Sequence, residues 1–276
     1  MIDPAYTVCR VSVDRIDTSV AHPARRYNYW LGGKDNFAAD RASADAIAAA
    51  WPSAPIAARE NRRFLGRAVR FLAGEAGIRQ FLDIGTGLPT AGNTHEVAQA
   101  IAPSARVVYV DNDPMVMVHA RALLTSAPEG ATAYLEADLR DPGHILAHPD
   151  LRATLDFTQP VGLMLVAVLH FIHGEGAALP IVRELLAALP RGSYLVASNA
   201  TKDFLPPQIA EVYDRMLAGG QTDIWPRTRT EFGDLFEGLQ LVEPGVVAAH
   251  EWRPDDPDPS LTPADVSVYA AVGRVP

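Results

Sequence analysis

The chain has 276 residues, 48% of them hydrophobic and 21% charged, which is typical of a globular protein with a sizeable core. Its single cysteine, Cys9, excludes an intrachain disulfide, and no apolar run is long enough to span a membrane, so we expect a cytoplasmic protein without a signal peptide. The net charge of −9 disfavours a nucleic-acid partner, because binding a duplex requires a basic face.

Residues 1–77 have a mostly helical composition and are predicted to form a cap or lid ahead of the main domain. The alanine-rich segment Ala38–Ala50 and the arginine-bearing segment Ile56–Ala73 each predict a helix. Arginines recur at helical spacing in the second segment, which is typical of a solvated helix face. These arginines are Arg59, Arg62, Arg63, Arg67 and Arg70.

Residues 78–276 alternate between short apolar runs and helical patterns, and we expect them to form one α/β domain. The runs that predict strands are Gln80–Ile84, Arg106–Val110, Thr132–Glu136, Val161–Val168, Ser193–Ser198, Leu239–Val247 and Val266–Val272. The patterns that predict helices are Thr94–Ile101, Pro114–Leu124, Gly176–Leu189 and Pro207–Leu217, and Thr228 and Glu231 have the spacing of a capping box. Such alternation predicts a mostly parallel, Rossmann-like sheet with helices on both faces.

A glycine-containing turn follows the first predicted strand, in the segment Phe81–Gly87 (FLDIGTG). Gly85 and Gly87 allow a ligand to approach the backbone without meeting a Cβ atom. A dinucleotide fingerprint would require a third glycine at position 90, where Thr90 stands, and Pro89 removes a backbone N–H donor. Asp83 adds negative charge to the loop. A ligand with cationic groups and no phosphates, such as S-adenosylmethionine, therefore suits the loop better than NAD.

Acidic residues also follow the second and third predicted strands. Asp111 can accept both hydroxyls of a ribose, whereas Asp113, directly before Pro114, has the position of a helix N-cap. After the third strand, Asp138 can accept a hydrogen bond from an adenine amino group, and Leu139 supplies backbone contact to the ring. Asp111 by itself indicates an adenosine group and not a particular cofactor.

Asp83-x-Gly85-x-Gly87, Asp111 and Asp138 together resemble the class I S-adenosylmethionine-dependent methyltransferases. More narrowly, the chain resembles an actinobacterial methyltransferase family once described as a domain of unknown function. That resemblance covers nearly the whole chain, and four stretches carry it: His22–Asp40, Phe81–Val97, Val107–Pro114 and Gly238–Gly245. It implies a seven-stranded sheet whose last strand is antiparallel. It also implies that the N-terminal helices contact the methionine carboxylate, for which Tyr27, Lys34 and Asn36 are the candidates. Pro89 departs from the wider class, in which many members have a third glycine.

The expected cofactor site combines the strand-end residues with the candidates from the cap. It consists of Asp83, Gly85, Thr86, Gly87, Asp111, Asn112, Asp138, Leu139, Val168, Tyr27, Lys34, Asn36 and His95. His95 follows the glycine loop in the first turn of a predicted helix, where it would line the methionine end. The aromatic residues of Arg25–Phe37 have two interpretations, core packing or a lid that excludes water over the site.

His170 follows the fourth predicted strand and is the candidate catalytic residue. Histidine titrates near neutral pH, so His170 could act as a general base if the methyl acceptor must lose a proton. The alternative is a structural histidine at a strand end. His173 is a weaker candidate, and we do not expect His170, His173 and Glu175 to bind a metal, because glycines separate them and no second cluster exists.

Three functions remain open at the level of sequence. The first is a methyltransferase acting on a small molecule, with Trp225, Arg227 and the cap shaping the acceptor pocket. The second is a non-catalytic S-adenosylmethionine-binding sensor or partner protein, and the third an NAD-dependent oxidoreductase, which Pro89 and Thr90 disfavour. A homodimer is one assembly that the sequence allows.

Overall fold

The computed structural model describes residues 17–123, 126–220 and 222–276. Cys9 and the rest of residues 1–16 lie outside this part of the chain. None of the helices in the described ranges is long and apolar enough to cross a membrane.

Three helices precede the sheet: α1 (Pro23–Trp30), α2 (Ala38–Ala50) and α3 (Ala54–Arg70), followed by a π-helical turn at Phe71–Glu75. Proline in the first turn of α1 and of α3 fits the helix start, because proline has no N–H to satisfy there. The predicted helix at Ala38–Ala50 is confirmed with its bounds. The predicted division at residue 77 stays a prediction, and the side chains of α3 pack into the same core as the sheet.

The remaining elements alternate as the sequence predicts. In chain order they are β1 (Gln80–Ile84), α4 (Thr94–Ile101), β2 (Arg106–Asp111), α5 (Pro114–Leu123), β3 (Ala131–Glu136), α6 (Pro142–Ala147), α7 (Pro149–Thr154), β4 (Gly162–Leu165), α8 (Ala178–Ala187), β5 (Tyr194–Ala200), α9 (Pro207–Ala218), α10 (Arg229–Gly233), β6 (Gln240–Leu241), β7 (Val247–Ala248), α11 (Pro263–Val266) and β8 (Val268–Arg274). The short helices α6, α7 and α11 were not predicted, because each spans less than two turns and shows no clear periodicity.

The sheet has the order β3-β2-β1-β4-β5-β8-β6, with β7 also paired to β8. Strands β1 to β5 are parallel, and β8 runs antiparallel between β5 and the pair β6 and β7. The expected mostly parallel sheet with an antiparallel last strand is therefore confirmed. The strand order reverses between β1 and β4, and ligands of open α/β sheets bind at the carboxyl ends of strands at such a reversal.

The predicted strand Leu239–Val247 is wrong as a single element. Gln240 and Leu241 pair with one end of β8, and Val247 and Ala248 pair with it again further along. Pro244 lacks a backbone N–H, and Gly245 adopts a positive φ of 82°, so the residues between form a turn and not a ladder.

Two apolar cores cover the two faces of the sheet. Leu82 of β1 faces the core beneath α8, whereas its neighbour Phe81 faces the core beneath α3. The α3 side includes Phe64, which packs edge-on against the fully buried Trp252 with ring centroids 5.4 Å apart. This packing holds α3 across the sheet and brings its N-terminal half to the carboxyl ends of the strands.

The interpretation of the arginines of α3 as a solvated face is wrong for Arg67. Its guanidinium is buried and donates to the carbonyl oxygens of Trp252 and Ala249 at 2.8 and 2.6 Å. Spacing alone could not separate Arg67 from Arg59 and Arg63, which are exposed, because the carbonyl partners lie about 180 residues away in the sequence.

Candidate functional site

A cavity of about 400 Å³ lies at the reversal of strand order, between the carboxyl ends of the parallel strands and the helices α1 to α3. Residues from the ends of β1, β2, β3, β4 and β5 form its floor, and the three N-terminal helices form its roof. Ten of the thirteen residues predicted for the cofactor site line it. They are Tyr27, Asp83, Gly85, Thr86, Gly87, Asp111, Asn112, Asp138, Leu139 and Val168, joined by the catalytic candidate His170.

The glycine loop after β1 packs directly against the segment after β4. Gly85 has a φ of +77°, and a Cβ atom at this position would lie 2.3 Å from Cγ2 of Val168. Its N–H donates to the carbonyl oxygen of Val110 at 2.8 Å, which fixes the loop to β2. Gly87 also has a positive φ, of +67°, but faces open space. Gly85 is therefore required by both conformation and space, and Gly87 by conformation.

Asp111 joins the end of β2 to the glycine loop. One carboxylate oxygen accepts the N–H of Gly87 at 2.8 Å, and the other accepts the N–H of Asp113 at 2.9 Å. Burial raises the pKa of Asp111, and these two backbone N–H groups oppose the rise. Each carboxylate oxygen keeps a free lone pair on the cavity side, so the residue can still accept ligand hydroxyls. The predicted N-cap role of Asp113 is confirmed, because its side chain accepts the N–H of Met115 at 2.9 Å.

Asp83 is a buried carboxyl group at the end of β1. It accepts the hydroxyl of Thr94, the first residue of α4, at 2.6 Å. Burial raises the pKa of Asp83 to about 6, which the Thr94 hydrogen bond and the positive charge of Arg62 partly oppose. A carboxyl group in this environment gains from a cationic partner, since the partner offsets the cost of keeping it ionised.

The third strand end carries a more exposed carboxylate. Asp138 accepts from the guanidinium Nε of Arg140 at 2.9 Å, and this pairing lowers its pKa. The side-chain amide of Asn112 lies 3.5 Å from a carboxylate oxygen of Asp138, at the distance limit of a hydrogen bond. Asp138, Leu139 and Arg140 all line the cavity. Arg140 was missed by the sequence analysis, although its spacing of two residues from Asp138 is visible in the sequence.

Tyr27 is the one cap candidate that the structure brings to the cavity. Its hydroxyl donates to the carbonyl oxygen of Ala58 at 2.9 Å and accepts from the side-chain amide of Asn61 at 3.0 Å. The Asn61 carbonyl in turn accepts the hydroxyl of Ser198 at 2.6 Å, and Ser198 accepts the N–H of Ala167. Asn61 was missed by the sequence analysis. The signal available in the sequence was a polar residue among the apolar positions of α3, because a polar side chain there would be buried and would need a hydrogen-bonding partner.

The other three residues predicted for the cofactor site, two from the cap and His95 from α4, lie away from the cavity. Lys34 is exposed. Asn36 is buried, where its amide donates to the side chain of Asn28 at 2.9 Å and it accepts from Arg41. His95 is buried in α4, where its backbone N–H donates to the hydroxyl oxygen of Tyr109 at 2.7 Å and its ring Nδ1 lies 2.8 Å from the same oxygen. None of these three lines the cavity.

Arg62 of α3 is a third cavity residue that the sequence analysis missed, because it was assigned to a solvated face. It is half-buried and lines the cavity, where its guanidinium donates to the side chain of Asn93 at 3.1 Å. Its charge lowers the pKa of Asp83 and of Tyr27. Arg62 therefore places a positive charge at the end of β1, next to the buried carboxyl group.

The N-terminal helices are also tied to the segment after β2 by side-chain contacts. His22, which lines the cavity, places Nδ1 3.0 Å from a carboxylate oxygen of Asp113. Arg25 lies 3.5 Å from the same oxygen and 3.7 Å from the fully buried Asp40. Asp40 also accepts the N–H of His22 at 2.8 Å. The roof of the cavity is thus fixed next to Asp111.

His170 lies on a 3-10 turn at Leu169–Phe171, directly after β4, and is buried in the cavity wall. Burial lowers its pKa to about 4, so the imidazole is neutral at physiological pH. Its Nδ1 accepts the N–H of Ala200 at 3.4 Å, which leaves the proton on Nε2. A general base works best with a pKa near the working pH, so this geometry suits a hydrogen-bond donor better than a base.

The segment after α9 completes the wall near His170. Asp223 pairs with the buried Arg26 of α1, and its carbonyl oxygen lies 2.8 Å from Nε2 of the exposed His173. All three residues line the cavity. Within the described ranges, no group of three or more histidine, cysteine, aspartate or glutamate residues could hold a metal ion.

Arg227 and Trp225, predicted to shape the acceptor pocket, do not line the cavity but hold its wall. The buried guanidinium of Arg227 donates to the carbonyl oxygens of Leu169 and Ile172 at 2.8 and 2.9 Å. The N–H of Trp225 donates to the carbonyl oxygen of His170 at 2.7 Å. These bonds fix the turn that carries His170.

Comparison with known proteins identifies the family of the chain. A family model described as S-adenosyl methyltransferase matches residues 10–276. A DUF574 family protein from Streptomyces avermitilis is 50% identical, with a TM-score of 0.90 over 95% of this chain and 100% of its own. A putative methyltransferase from Thermobifida fusca is 47% identical, with a TM-score of 0.84 over 94% of this chain and 96% of its own. No curated protein matches the chain. The chain therefore belongs to the S-adenosyl methyltransferase family, and it is an S-adenosylmethionine-dependent methyltransferase.

Proposed function

We propose that this methyltransferase acts on a small molecule in the cytoplasm. The observation that carries the proposal is one continuous cavity that joins the strand-end carboxylates to the wall around His170 under the roof of α1 to α3. A roofed cavity admits a small acceptor and excludes water from the transfer. The negative net charge also disfavours a nucleic-acid acceptor. The homodimer stays a prediction.

The strand ends fit the adenosine part of the cofactor. Asp111 is held by two backbone N–H groups with lone pairs left for the ribose hydroxyls, as the sequence predicts. Asp138 and Leu139 lie at the next strand end, where they would accept from the adenine amino group and contact the ring. The open space at the Cβ position of Gly87 leaves the backbone there accessible to the ligand, whereas Gly85 makes room for Val168.

The end of β1 fits the amino-acid part of the cofactor. That group carries an ammonium and a carboxylate, and the wall there carries the buried carboxyl group of Asp83 and the guanidinium of Arg62. We place the ammonium near Asp83 and the carboxylate near Arg62, with the hydroxyl of Tyr27 beside it. Arg62 and Tyr27 thus take the role that the sequence analysis gave to Tyr27, Lys34 and Asn36.

When bound, the cofactor supplies an electrophilic methyl group on its sulfonium. The protein would contribute by placing the acceptor in line with that methyl group and by excluding water. His170 would orient the acceptor by donating a hydrogen bond from Nε2, since its lowered pKa makes it a weak base. Because His170 is a weak base, this site suits an acceptor whose attacking atom is already nucleophilic and need not lose a proton before methyl transfer.

The proposal is tested by calorimetry and thermal unfolding with S-adenosylhomocysteine, NAD and 5′-methylthioadenosine. A ligand at about 100 times its dissociation constant stabilises the folded state by about 2.7 kcal/mol. We expect this stabilisation with S-adenosylhomocysteine and none with NAD. Asp111→Asn should abolish the stabilisation, whereas the exposed Asp150→Asn on α7 should leave it unchanged. Absence of binding by the unmodified protein would refute the assigned site.

Methyl transfer is then tested with radiolabelled S-adenosylmethionine and a fractionated small-molecule extract of the source organism. Label should enter material below about 1 kDa and not enter protein or RNA. Label found only in protein or RNA would contradict a small-molecule acceptor.

A further inference from the structure

Arg26 of α1 is a buried cation on the cavity wall. Its side chain is 9% exposed, and among the residues that the structure describes Asp223 is the hydrogen-bonding partner of its guanidinium. A guanidinium carries five N–H donors, and Asp223 accepts from one of its three nitrogens. Because Arg26 lines the cavity, a ligand in the cavity can supply further acceptors.

The position of Arg26 separates it from the cofactor end. Its guanidinium pairs with Asp223, whose carbonyl oxygen lies 2.8 Å from Nε2 of His173 in the segment after β4. The guanidinium of Arg62 instead donates to the carbonyl oxygen of Thr90 and to the side chain of Asn93, which follow β1. The two arginines therefore serve different ends of one cavity. Arg62 lies at the end of β1, and Arg26 lies with His170 and Asp223 on the side left for the acceptor.

The surroundings of Arg26 on the roof are apolar. Two tryptophans and three aliphatic side chains line the cavity: Trp30, Trp51, Ile47, Leu65 and Ile224. Trp30 lies one helical turn after Arg26 on α1, and Ile224 directly follows Asp223. An acceptor that fills this space must bury apolar surface, and aromatic rings pack well against indole rings.

We propose that the methyl acceptor is an organic acid with an aromatic or other apolar body, whose carboxylate binds Arg26. This inference rests on the proposed function, since it assigns the acceptor side of the same cavity. The guanidinium edge not used by Asp223 offers paired N–H donors to a carboxylate. Asp223 is 40% exposed and thus partly hydrated, so it neutralises the buried cation only in part.

The test uses three naphthalene probes of similar size in the presence of saturating S-adenosylhomocysteine. They are 2-naphthoate, the neutral 2-acetylnaphthalene and the cationic 2-naphthylmethylammonium, with binding followed by tryptophan fluorescence and calorimetry. We expect 2-naphthoate to bind about tenfold more tightly than either of the other probes. A difference of this size corresponds to one charge-assisted hydrogen bond between its carboxylate and Arg26. Equal or tighter binding of the neutral or cationic probe, or no binding of any probe, would overturn the inference.

Three variants locate the binding group. Arg26→Gln should weaken 2-naphthoate about tenfold and leave 2-acetylnaphthalene unchanged. Asp223→Asn should tighten 2-naphthoate, because it removes the competing carboxylate. Arg59→Gln, on the exposed face of α3, should leave all three probes unchanged. Weaker binding of 2-naphthoate to Asp223→Asn would contradict the assignment.

Cofactor binding distinguishes failure of this inference from failure of the proposed function. If the unmodified protein binds S-adenosylhomocysteine but shows no preference for 2-naphthoate, only the acceptor assignment fails. If it does not bind S-adenosylhomocysteine, the proposed function fails as well. Arg26→Gln should bind S-adenosylhomocysteine within about twofold of the unmodified protein, which also shows that the variant is folded.

Discussion

Gly85 and Val168 meet where the strand order of the sheet reverses, and the Cβ position of the glycine lies 2.3 Å from Cγ2 of the valine. Contact this close leaves no room for any side chain at position 85. It also holds the loop after β1 against the loop after β4, so two of the five strand ends that form the cavity floor are fixed to each other although their strands are distant in sequence.

Gly85→Ala should therefore destabilise the protein and abolish binding of S-adenosylhomocysteine. The strained φ and the contact with Val168 together cost about 1–3 kcal/mol, measured as the free energy of unfolding in urea. Gly87→Ala is the matched control, because its φ is also positive but no atom lies within 4 Å. Gly87→Ala should cost about 1 kcal/mol. Equal losses in the two variants would show that the Val168 contact is unimportant.

Asp83 should make cofactor binding depend on pH. Its pKa is raised to about 6, so the carboxyl group is mostly protonated at pH 5 and ionised at pH 7. An ammonium binds the ionised form, so affinity for S-adenosylhomocysteine should rise by up to about tenfold between these pH values, with proton release on binding at low pH. Calorimetry in two buffers of different ionisation enthalpy measures both quantities.

Two controls accompany the Asp83 prediction. Binding of 5′-methylthioadenosine, which has no ammonium, should not change between pH 5 and pH 7. Asp83→Asn should remove the pH dependence for S-adenosylhomocysteine. A pH dependence that survives in Asp83→Asn would assign the titration to another group.

His170 should affect stability with the opposite sign to Asp83. Its pKa is lowered from 6.5 to about 4, so the unfolded chain binds more protons than the folded one between these values. The contribution of His170 to stability is thus fully present above pH 6.5 and is lost as the pH falls toward 4. His170→Gln should flatten this loss in urea unfolding curves. An unchanged slope would show that the imidazole is not buried in its neutral form.

For Asp83 the raised pKa makes the folded state bind more protons between pH 3.8 and about 6. Its stabilising contribution is therefore lost as the pH rises through this range, and Asp83→Asn should steepen the net decline toward low pH. His170→Gln and Asp83→Asn therefore separate two opposite pH effects on the free energy of unfolding, which partly cancel in the unmodified protein.

Arg62 should bind the amino-acid carboxylate of the cofactor. Arg62→Met should weaken S-adenosylhomocysteine about tenfold, the loss of a charge-assisted hydrogen bond, and leave 5′-methylthioadenosine unchanged. Arg59→Met, on the exposed face of the same helix, should affect neither ligand. An equal loss for both ligands would indicate a structural role through Asn93.

The sequence by itself determined the alternation of strands and helices, the parallel sheet and the three strand-end carboxylates of the site. Periodicity and turn residues are local signals, and strands of a parallel sheet bring their carboxyl ends to one edge. For this reason Asp83, Asp111 and Asp138 could be placed together without a structure. The N-cap at Asp113 and the bounds of β1 and α4 were predictable on the same grounds.

Only the tertiary structure decided which cap residues reach the cavity. On α3, exposed and inward-facing arginines share one helical spacing, and the packing of Phe64 against Trp252 sets the rotation that brings Arg62 to the cavity. The same holds for Lys34, which is exposed, and for Arg26, whose partner Asp223 lies 197 residues away. Each strand-end carboxylate could be predicted from the residues around it in the sequence. The charged residues of the cap that complete the site are placed by tertiary contacts, which no local sequence pattern encodes.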